Sequence, residues 1–260
     1  LGAGGFAKAV HLPNLSENHH FQLSTIMSRT GHNASNVAEQ FKAQKSTTDV
    51  NEALNDNATD AAIICSRHNL HKNLALQALK AGKHVLVEKP TAMNEEELSE
   101  IEAYFSNHKD APVMLTGFNR RYSEHMHTVK EYIKNRTNPI IINYRMNAGH
   151  IPLDHWVHGK EGGGRNIGEA CHIYDLFTYL IEAPFKNVSV TNITPQTGHY
   201  SSSDNFVANI SFEDGSVATL TYTALGNSSY PKETMDLYVD NSVITMNDYK
   251  ETIFHGSKHK

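Results

Sequence analysis

Short apolar runs alternate with segments of helical spacing through the first 117 residues of this 260-residue chain. The run at 61–65 is continuous and apolar, which is typical of a parallel strand covered on both faces, and the next strand is predicted at 84–87. Between them, 70–81 carries apolar residues at helical spacing and is followed by Gly82, a common helix stop. A further apolar run lies at 113–116. This alternation predicts βαβ units on a parallel sheet, and therefore an α/β domain.

The pattern changes after Gly117, where strand follows strand. Helices are predicted from about 123 to 135 and from about 168 to 181. Predicted strands lie at 140–146, 188–193, 206–212, 216–223, 235–239 and 243–246. Glu213-Asp214-Gly215 predicts a tight hairpin between two of them. We therefore predict an α/β domain over 1–117 and an α+β domain with a largely antiparallel open sheet over 118–260.

Charge and cysteine content exclude several classes of protein. The formal net charge is −5, and Lys and Arg are scattered along the chain, so the concentrated basic face of a nucleic-acid binder is missing. No apolar run approaches the roughly 20 residues of a membrane helix. The two cysteines, Cys65 and Cys171, are far apart in sequence, which favours a reducing, cytoplasmic setting.

A glycine loop opens the chain. Gly2-x-Gly4-x-x-Ala7 fits the dinucleotide fingerprint, in which one glycine makes the turn, the next admits a pyrophosphate and a small third residue lets the helix pack. We expect Gly2, Gly4, Phe6 and Ala7 to bind a cofactor in a Rossmann domain, the alternative being an ordinary turn. A buried strand normally precedes such a loop, and only Leu1 does here. The first strand is therefore expected to be truncated, and the C-terminus is open to the same interpretation.

The next strand is predicted over 21–27, and its end bears on the choice of cofactor. NAD enzymes usually carry an acidic residue there for the ribose hydroxyl, whereas this chain has Ser28-Arg29-Thr30. No carboxylate repels a 2′-phosphate, and Arg29 could bind one. Ser28 and Arg29 therefore favour NADP over NAD. The alternative is that Arg29 is a solvated surface residue and the ribose is held otherwise.

Three motifs carry a family resemblance. They are Glu88-Lys89-Pro90 within 81–90, the segment 117–122, and the glycines at 162–164 followed by 171–175. Together they resemble the glucose–fructose oxidoreductase / inositol dehydrogenase family, often written Gfo/Idh/MocA. The segments 4–10, 147–152 and 168–172 resemble more closely a branch fused behind a zinc-type alcohol-dehydrogenase domain, associated with polysaccharide or sugar-nucleotide metabolism.

The resemblance implies a Rossmann domain followed by an open-sheet domain that binds substrate and often makes oligomers. Ser66 and Arg67 fall close to the expected nicotinamide ribose, although relatives usually have Thr-Pro there. His71 matches a family position near the cofactor. We expect Glu88 to orient Lys89 or to line the nicotinamide site.

Lys89 is the first candidate for chemistry. It follows a parallel strand at its carboxyl end, where open α/β sheets bind ligands. An ammonium group there can polarise a hydroxyl or a carbonyl and take part in proton transfer. A structural lysine at a strand end is the alternative.

His172 is the second candidate, and the resemblance gives it a substrate-binding or proton-relay role. His172 and Asp175 are three apart on a predicted helix and share a face. Many relatives carry an Asp four residues before this His, and here that position is Gly168, with Glu169 after it. Either Glu169 supplies the carboxylate, or Lys89 and His172 form the acid–base system alone.

Two positions are candidates for substrate binding. Arg120 could contact a sugar hydroxyl or a phosphate, and it is equally suited to an ion pair. Trp156 offers a flat face to a sugar ring in a loop that also holds several histidines. A metal site in that loop is not expected, because helical spacing and cysteine ligands are missing and the family needs none.

These features predict an NAD(P)-dependent oxidoreductase that acts on a sugar, sugar nucleotide or polyol hydroxyl, with Lys89 and His172 serving one reaction centre. The alternative is a catalytically silent module of the same fold that senses a dinucleotide or a sugar. A homo-oligomer is expected through the C-terminal sheet, because apolar residues occur on both of its faces, for example Phe206 and Val207.

Overall fold

The computed structural model describes residues 1–256 and divides into two compact units, Leu1–Gly117 and a second that begins at Phe118. In the first unit, the strands are β1 (Thr25–Met27), β2 (Lys45–Thr47), β3 (Ala61–Ile64), β4 (His84–Val87) and β5 (Met114–Thr116). The helices are α1 (Leu12–Glu17), α2 (Gly31–Gln40), α3 (Val50–Leu54), α4 (His71–Lys80) and α5 (Glu95–Asn107).

All strand pairs of the first unit are parallel, as the sequence predicts, in two groups ordered β1-β2 and β3-β4-β5. Leu1 and Gly2 lie between the groups. The amino group of Leu1 donates to the Ile63 carbonyl at 2.6 Å, and the amide of Gly2 donates to the Met27 carbonyl at 3.0 Å. The glycine loop is therefore attached to both groups of strands.

Local sequence explains how the helices of this unit begin and end. Asn94 accepts a hydrogen bond from the amide of Glu97, whose side chain in turn accepts one from the amide of Met93, so α5 begins with a reciprocal cap. Gly82 has a φ of 74° and follows Ala81, the C-cap of α4, which suits a glycine stop. β1 is shorter than the strand predicted over 21–27, and β2 and α3 were not predicted.

The second unit is a seven-stranded sheet with two helices on one face. The helices are α6 (Glu124–Ile133) and α7 (Cys171–Ile181). The strands are β6 (Ile141–Asn147), β7 (Phe185–Asn192), β8 (Phe206–Phe212), β9 (Val217–Thr223), β10 (Glu233–Val239), β11 (Ser242–Asn247) and β12 (Glu251–His255). Their order is β12-β11-β10-β6-β9-β8-β7, and only β6 and β9 pair in parallel. The largely antiparallel sheet is confirmed, and β12 is an addition to the prediction.

Alternation along the strands separates the two faces of this sheet. Side chains such as Ile142 and Leu220 are fully buried against helix residues such as Val129 and Phe177. The intervening side chains point away from the helices, and Ile141 remains 51% exposed. No helix within residues 1–256 is long and apolar enough to cross a membrane.

Candidate functional site

The glycine loop presses against the end of β3. A Cβ on Gly2 would lie 2.6 Å from the Ser66 nitrogen, and Gly2 has a φ of 87°, so both space and backbone conformation require glycine there. Gly4 and Gly5 are exposed, and a Cβ on Gly4 would meet nothing closer than the Cys65 oxygen at 4.0 Å. The backbone of the loop is therefore open where a phosphate group would approach, and these residues fit a dinucleotide.

The helix after the loop is anchored by Ala7 and contains a wide turn. Ala7 is buried, as the fingerprint requires of its small third residue, whereas Phe6 is 46% exposed. The segment Ala7–His11 is a π-helical turn that continues into α1, where Pro13 occupies the first turn. Extra-wide turns of this kind displace the following side chains around the helix axis.

Ser28 and Arg29 follow β1 and lie in contrasting environments. Ser28 is buried, and its hydroxyl accepts a hydrogen bond from Asn33 at 2.8 Å. The same amide group of Asn33 donates to the Ala3 carbonyl at 2.9 Å, so it joins the end of β1 to the glycine loop. Arg29 is exposed, which leaves its guanidinium accessible to a ligand.

His71 supports the strand ends and offers almost no surface to a ligand. It is 1% exposed, with Nδ1 2.8 Å from the Pro90 carbonyl and Nε2 3.1 Å from the Ser66 carbonyl. Burial lowers the pKa of His71 below its ordinary value. His71 therefore bridges the ends of β3 and β4, and its role near a cofactor stays a prediction. Ser66 itself is half-buried and Arg67 is exposed.

A second histidine holds the Glu88-Lys89-Pro90 segment. His11 Nε2 lies 2.7 Å from Glu88 Oε1, and both side chains are largely buried. A Cβ on Gly117 would come within 2.9 Å of the Glu88 carboxylate, so the carboxylate lies directly against that backbone. Lys89 is half-buried and joined to Pro90 by a cis peptide bond. Sequence reasoning missed His11.

His172 and Asp175, two of the candidate site residues, both lie on α7. His172 is 4% exposed, is the second residue of α7, and its ring lies 6.0 Å from that of Phe118. Asp175, one turn further on, is paired with Arg121, whose Nε donates to Asp175 Oδ2 at 2.8 Å and whose Nη2 contacts Oδ1. The carboxylate predicted to bind substrate is thus held by an arginine.

Arg120 forms an ion pair with Glu233, which is the alternative to substrate binding named above. Its Nη2 donates to Glu233 Oε1 at 2.7 Å, and its Nε lies 3.3 Å from Oε2. Glu233 is buried and accepts a further hydrogen bond from the Tyr144 hydroxyl at 2.5 Å. The predicted substrate contact is replaced by a buried network that joins the start of this unit to β10.

Both carboxylate oxygens of Glu169 accept hydrogen bonds from neighbouring side chains. Its Oε2 accepts from Arg165 at 2.9 Å and from the Tyr222 hydroxyl at 2.5 Å, and its Oε1 accepts from Lys232 at 2.8 Å. Burial acts to raise the pKa of Glu169, but the Lys232 charge and these hydrogen bonds outweigh it and lower the pKa to about 2. A carboxylate in this state is a poor proton acceptor near neutral pH.

Trp156 lies in a short 3₁₀ segment, Trp156–His158, and is half-buried. A Cβ on Gly162 would lie 2.4 Å from the backbone of Val157, so the glycines at 162–164 let the chain fold back on this segment. His158 Nε2 lies 3.8 Å from the carboxylate of buried Asp204. Within residues 1–256, no group of three or more His, Cys, Asp or Glu side chains is placed to hold a metal ion.

A glycine loop on a parallel sheet, followed by a helix-backed antiparallel sheet, defines the class of two-domain dinucleotide-binding oxidoreductases. Residues 1–116 match an oxidoreductase family with an NAD-binding Rossmann fold, and residues 130–240 match its C-terminal alpha/beta domain. The chain therefore belongs to the GFO_IDH_MocA oxidoreductase family, and the predicted resemblance is confirmed. Fusion behind an alcohol-dehydrogenase domain stays a prediction.

The chain is also similar in sequence to named oxidoreductases. The chain is 25% identical over 225 residues to the uncharacterized oxidoreductase YrbE of Bacillus subtilis, covering 85% of this chain and 64% of the relative. It is 28% identical over 192 residues to myo-inositol 2-dehydrogenase of Thermotoga maritima, covering 71% and 55%. The chain thus spans less than two thirds of these relatives.

Among solved structures, levoglucosan dehydrogenase in complex with NADH and levoglucosan matches with a TM-score of 0.81 at 23% identity. The match covers 99% of this chain and 75% of that one. At this identity the likeness shows the fold.

Proposed function

We propose that this chain is an NAD(P)-dependent dehydrogenase that transfers a hydride between a nicotinamide cofactor and a hydroxyl-bearing carbon of a sugar, sugar nucleotide or polyol. The observation that carries the proposal is that the carboxyl ends of the neighbouring parallel strands β3 and β4 lie side by side. There the glycine loop packs on Ser66, and the neighbouring strand ends in the braced segment that contains Lys89. The named relatives, a myo-inositol dehydrogenase and a levoglucosan dehydrogenase, support this substrate class.

The residues of the first unit hold the cofactor in this proposal. Gly2 and Ala7 shape the loop, Gly4 admits the pyrophosphate, and Phe6 contributes exposed apolar surface. When bound, the nicotinamide ring accepts or returns the hydride. Ser66 and Arg67 lie at the adjoining strand end.

The preference for NADP rests on the end of β1. Arg29 is exposed, whereas Ser28 is buried and fixed by Asn33, so a guanidinium is accessible to a ligand and residues 28–30 contain no acidic residue. A guanidinium pairs well with a phosphate monoester, and the absence of an Asp or Glu at this place in the sequence removes repulsion of the 2′-phosphate. We therefore propose NADP as the preferred cofactor and NAD as the weaker one.

Lys89 and His172 carry the proton chemistry in this proposal. The Lys89 ammonium donates a hydrogen bond to the substrate oxygen and stabilises the negative charge that develops as hydride leaves the carbon. The His172 imidazole takes the hydroxyl proton on oxidation and returns it on reduction. Glu169 and Asp175 stabilise the second unit instead, because their carboxylates are paired with cations. Trp156 remains the proposed platform for a sugar ring.

We also propose a cytoplasmic homo-oligomer formed through the open face of the sheet. One row across this face consists of Val217, Ile141, Tyr238 and Val243 on four successive strands. Ile141 and Tyr238 are 51% and 41% exposed. Apolar surface of this kind is stabilised by burial against a second copy.

The test is turnover by the purified chain. NADP⁺ or NAD⁺ is mixed with myo-inositol, levoglucosan or a UDP-sugar, and formation of the reduced cofactor is followed by absorbance. Reduction that depends on both partners supports a dehydrogenase. Tight binding of dinucleotide without reduction by any member of a broad sugar and polyol panel would instead favour the silent sensor.

A further inference from the structure

His11 and Glu88 connect two segments that are 77 positions apart in sequence. His11 ends the π-helical turn after the glycine loop, and Glu88 follows β4 directly before Lys89. Nε2 and Oε1 are 2.7 Å apart, and the side chains are only 19% and 12% exposed. At this distance and burial the pair is a short, shielded contact, which is stronger than an exposed surface pair.

We propose that His11 is a positioning residue of the dinucleotide site, which ties the glycine-loop helix to Glu88 and thereby fixes the Glu88-Lys89-Pro90 segment. The proposal rests on the proposed dinucleotide function. It adds a residue outside both Gly2-x-Gly4-x-x-Ala7 and Glu88-Lys89-Pro90.

The surroundings of Glu88 leave its carboxylate little freedom. Gly117 abuts the carboxylate on one side, where a Cβ would come within 2.9 Å, and His11 holds Oε1 on another. The amide of Glu88 donates to the Ile64 carbonyl at 2.9 Å, which continues the β3–β4 pairing. Loss of His11 therefore removes the polar contact that connects this carboxylate to the glycine-loop helix.

The segment is braced from its other end by His71, which contacts the Pro90 and Ser66 carbonyls. Lys89 thus lies between a residue held by His11 and a residue held by His71. The same ring of His11 lies 5.4 Å from Phe6 in an edge-on arrangement, so it also contacts the exposed side chain of the glycine loop. One imidazole therefore links the loop, the first helix and the lysine-bearing strand end.

The charge state of His11 gives this arrangement a measurable signature. Interactions with the Cys65 thiol and the Glu88 carboxylate raise the pKa of His11 to about 9, against the opposing effect of burial. Those two groups face the ring from the ends of β3 and β4, and the amino group of Leu1 interacts with Cys65. Burial lowers the pKa of nearby His71, and the charge of Glu88 acts to raise that pKa while the charge of Lys89 acts to lower it. At neutral pH the His11 ring is therefore a cation paired with Glu88.

The experiment compares His11→Leu, His11→Gln and Glu88→Gln with the full chain. His19→Gln is the matched control, because His19 is exposed on the same stretch of chain. Binding of NADH is titrated by fluorescence from neutral pH to above pH 9, and the His11 ring is titrated by NMR. Glutamine keeps a neutral donor of similar reach, so the His11→Gln variant tests the charge even if the His11→Leu variant fails to fold.

We expect the His11→Leu variant to bind NADH about tenfold more weakly, the order of a lost charge-assisted hydrogen bond, and the His11→Gln variant to fall between it and the unaltered chain. Affinity of the unaltered chain should weaken above about pH 9, whereas that of the His11→Gln variant should not, and Glu88→Gln should lower the pKa of His11.

Equal affinity and equal pH dependence in all variants, with NADH bound normally, would overturn the positioning role and leave the dehydrogenase proposal standing. An ordinary His11 pKa in the unaltered chain would do the same. Failure of the unaltered chain to bind either dinucleotide would overturn both proposals.

Discussion

Gly2 and Ser66 approach so closely that a Cβ on Gly2 would lie 2.6 Å from the Ser66 backbone nitrogen. The φ of Gly2, 87°, is also one that side-chain-bearing residues seldom adopt. The two restrictions act together, because rotating the backbone to relieve the strain would move the loop away from the end of β3. The absence of a side chain at Gly2 therefore allows the loop to pack closely against the end of β3.

Gly2→Ala should lower the free energy of unfolding by about 1–3 kcal/mol and weaken NADH binding, because backbone strain and the contact with Ser66 must both be relieved. Chemical denaturation and fluorescence titration measure the two effects. Gly5→Ala is the control, since a Cβ there meets nothing within 4 Å. Equal losses in both variants would show that the contact with Ser66 is not the cause.

The positions of β3, β4 and β5 follow from the sequence because buried parallel strands are rich in apolar residues, whereas β2, with exposed Lys45 and Ser46, carries no such signal. The strand end with Lys89 was predictable for the same reason, and the glycine loop was predictable from its fingerprint. His11 was not, because a regular helix places it on the surface. The π-helical turn at Ala7–His11 alters that placement, and the nearby Pro13 is the one local signal, since proline disturbs the helix before it.

The roles of charged residues in the second unit were much harder to predict. Arg120 meets Glu233 across 113 positions of sequence, and Arg121 meets Asp175 across 54. Each candidate carries a charge that suits a substrate equally well, and only the folded chain brings its partner close. The same holds for Glu169, whose position beside a family site suggested catalysis while three partners occupy its oxygens.

Lys89→Met should reduce turnover on a substrate by about 10²–10⁴-fold, the usual contribution of a positioned acid–base group. Methionine keeps the length of the side chain and removes the charge and the proton. NADH affinity should change little, because the glycine loop is untouched. Steady-state kinetics and fluorescence titration separate the two. Lys80→Met, at an exposed position in α4, should leave both unchanged, and unaltered turnover in the Lys89→Met variant would make this lysine structural.

Arg29→Ala should weaken NADPH binding by about tenfold and leave NADH binding nearly unchanged, because only the former carries a 2′-phosphate. Paired titrations of each variant with both dinucleotides measure the difference. Lys109→Ala removes another exposed cation of the same unit and serves as the control. A parallel loss for both dinucleotides would argue against discrimination by Arg29.

Glu169→Gln should lower the free energy of unfolding by about 2 kcal/mol at neutral pH, because two cations lose their carboxylate. The pKa of Glu169 falls on folding from an ordinary 4.5 to about 2, so its ionised form stabilises the fold above pH 4.5. That contribution is lost as pH falls from about 4.5 to 2. The free energy of unfolding of the unaltered chain should therefore approach that of the variant over this range. Denaturation across this range tests it, with exposed Glu131→Gln as the control.

Ile141→Lys should convert the expected oligomer to monomer, because Ile141 lies in the apolar row across the open face of the sheet. Placing an unpaired charge in a buried contact should raise the dissociation constant by about tenfold or more. Light scattering at micromolar concentration measures the assembly state. Val190→Lys is the matched control, since Val190 is 52% exposed but pairs with Ala208 on the helix-bearing side. Dissociation by the Val190 variant alone would place the contact at the edge strand, and a monomeric unaltered chain would remove the expected interface altogether.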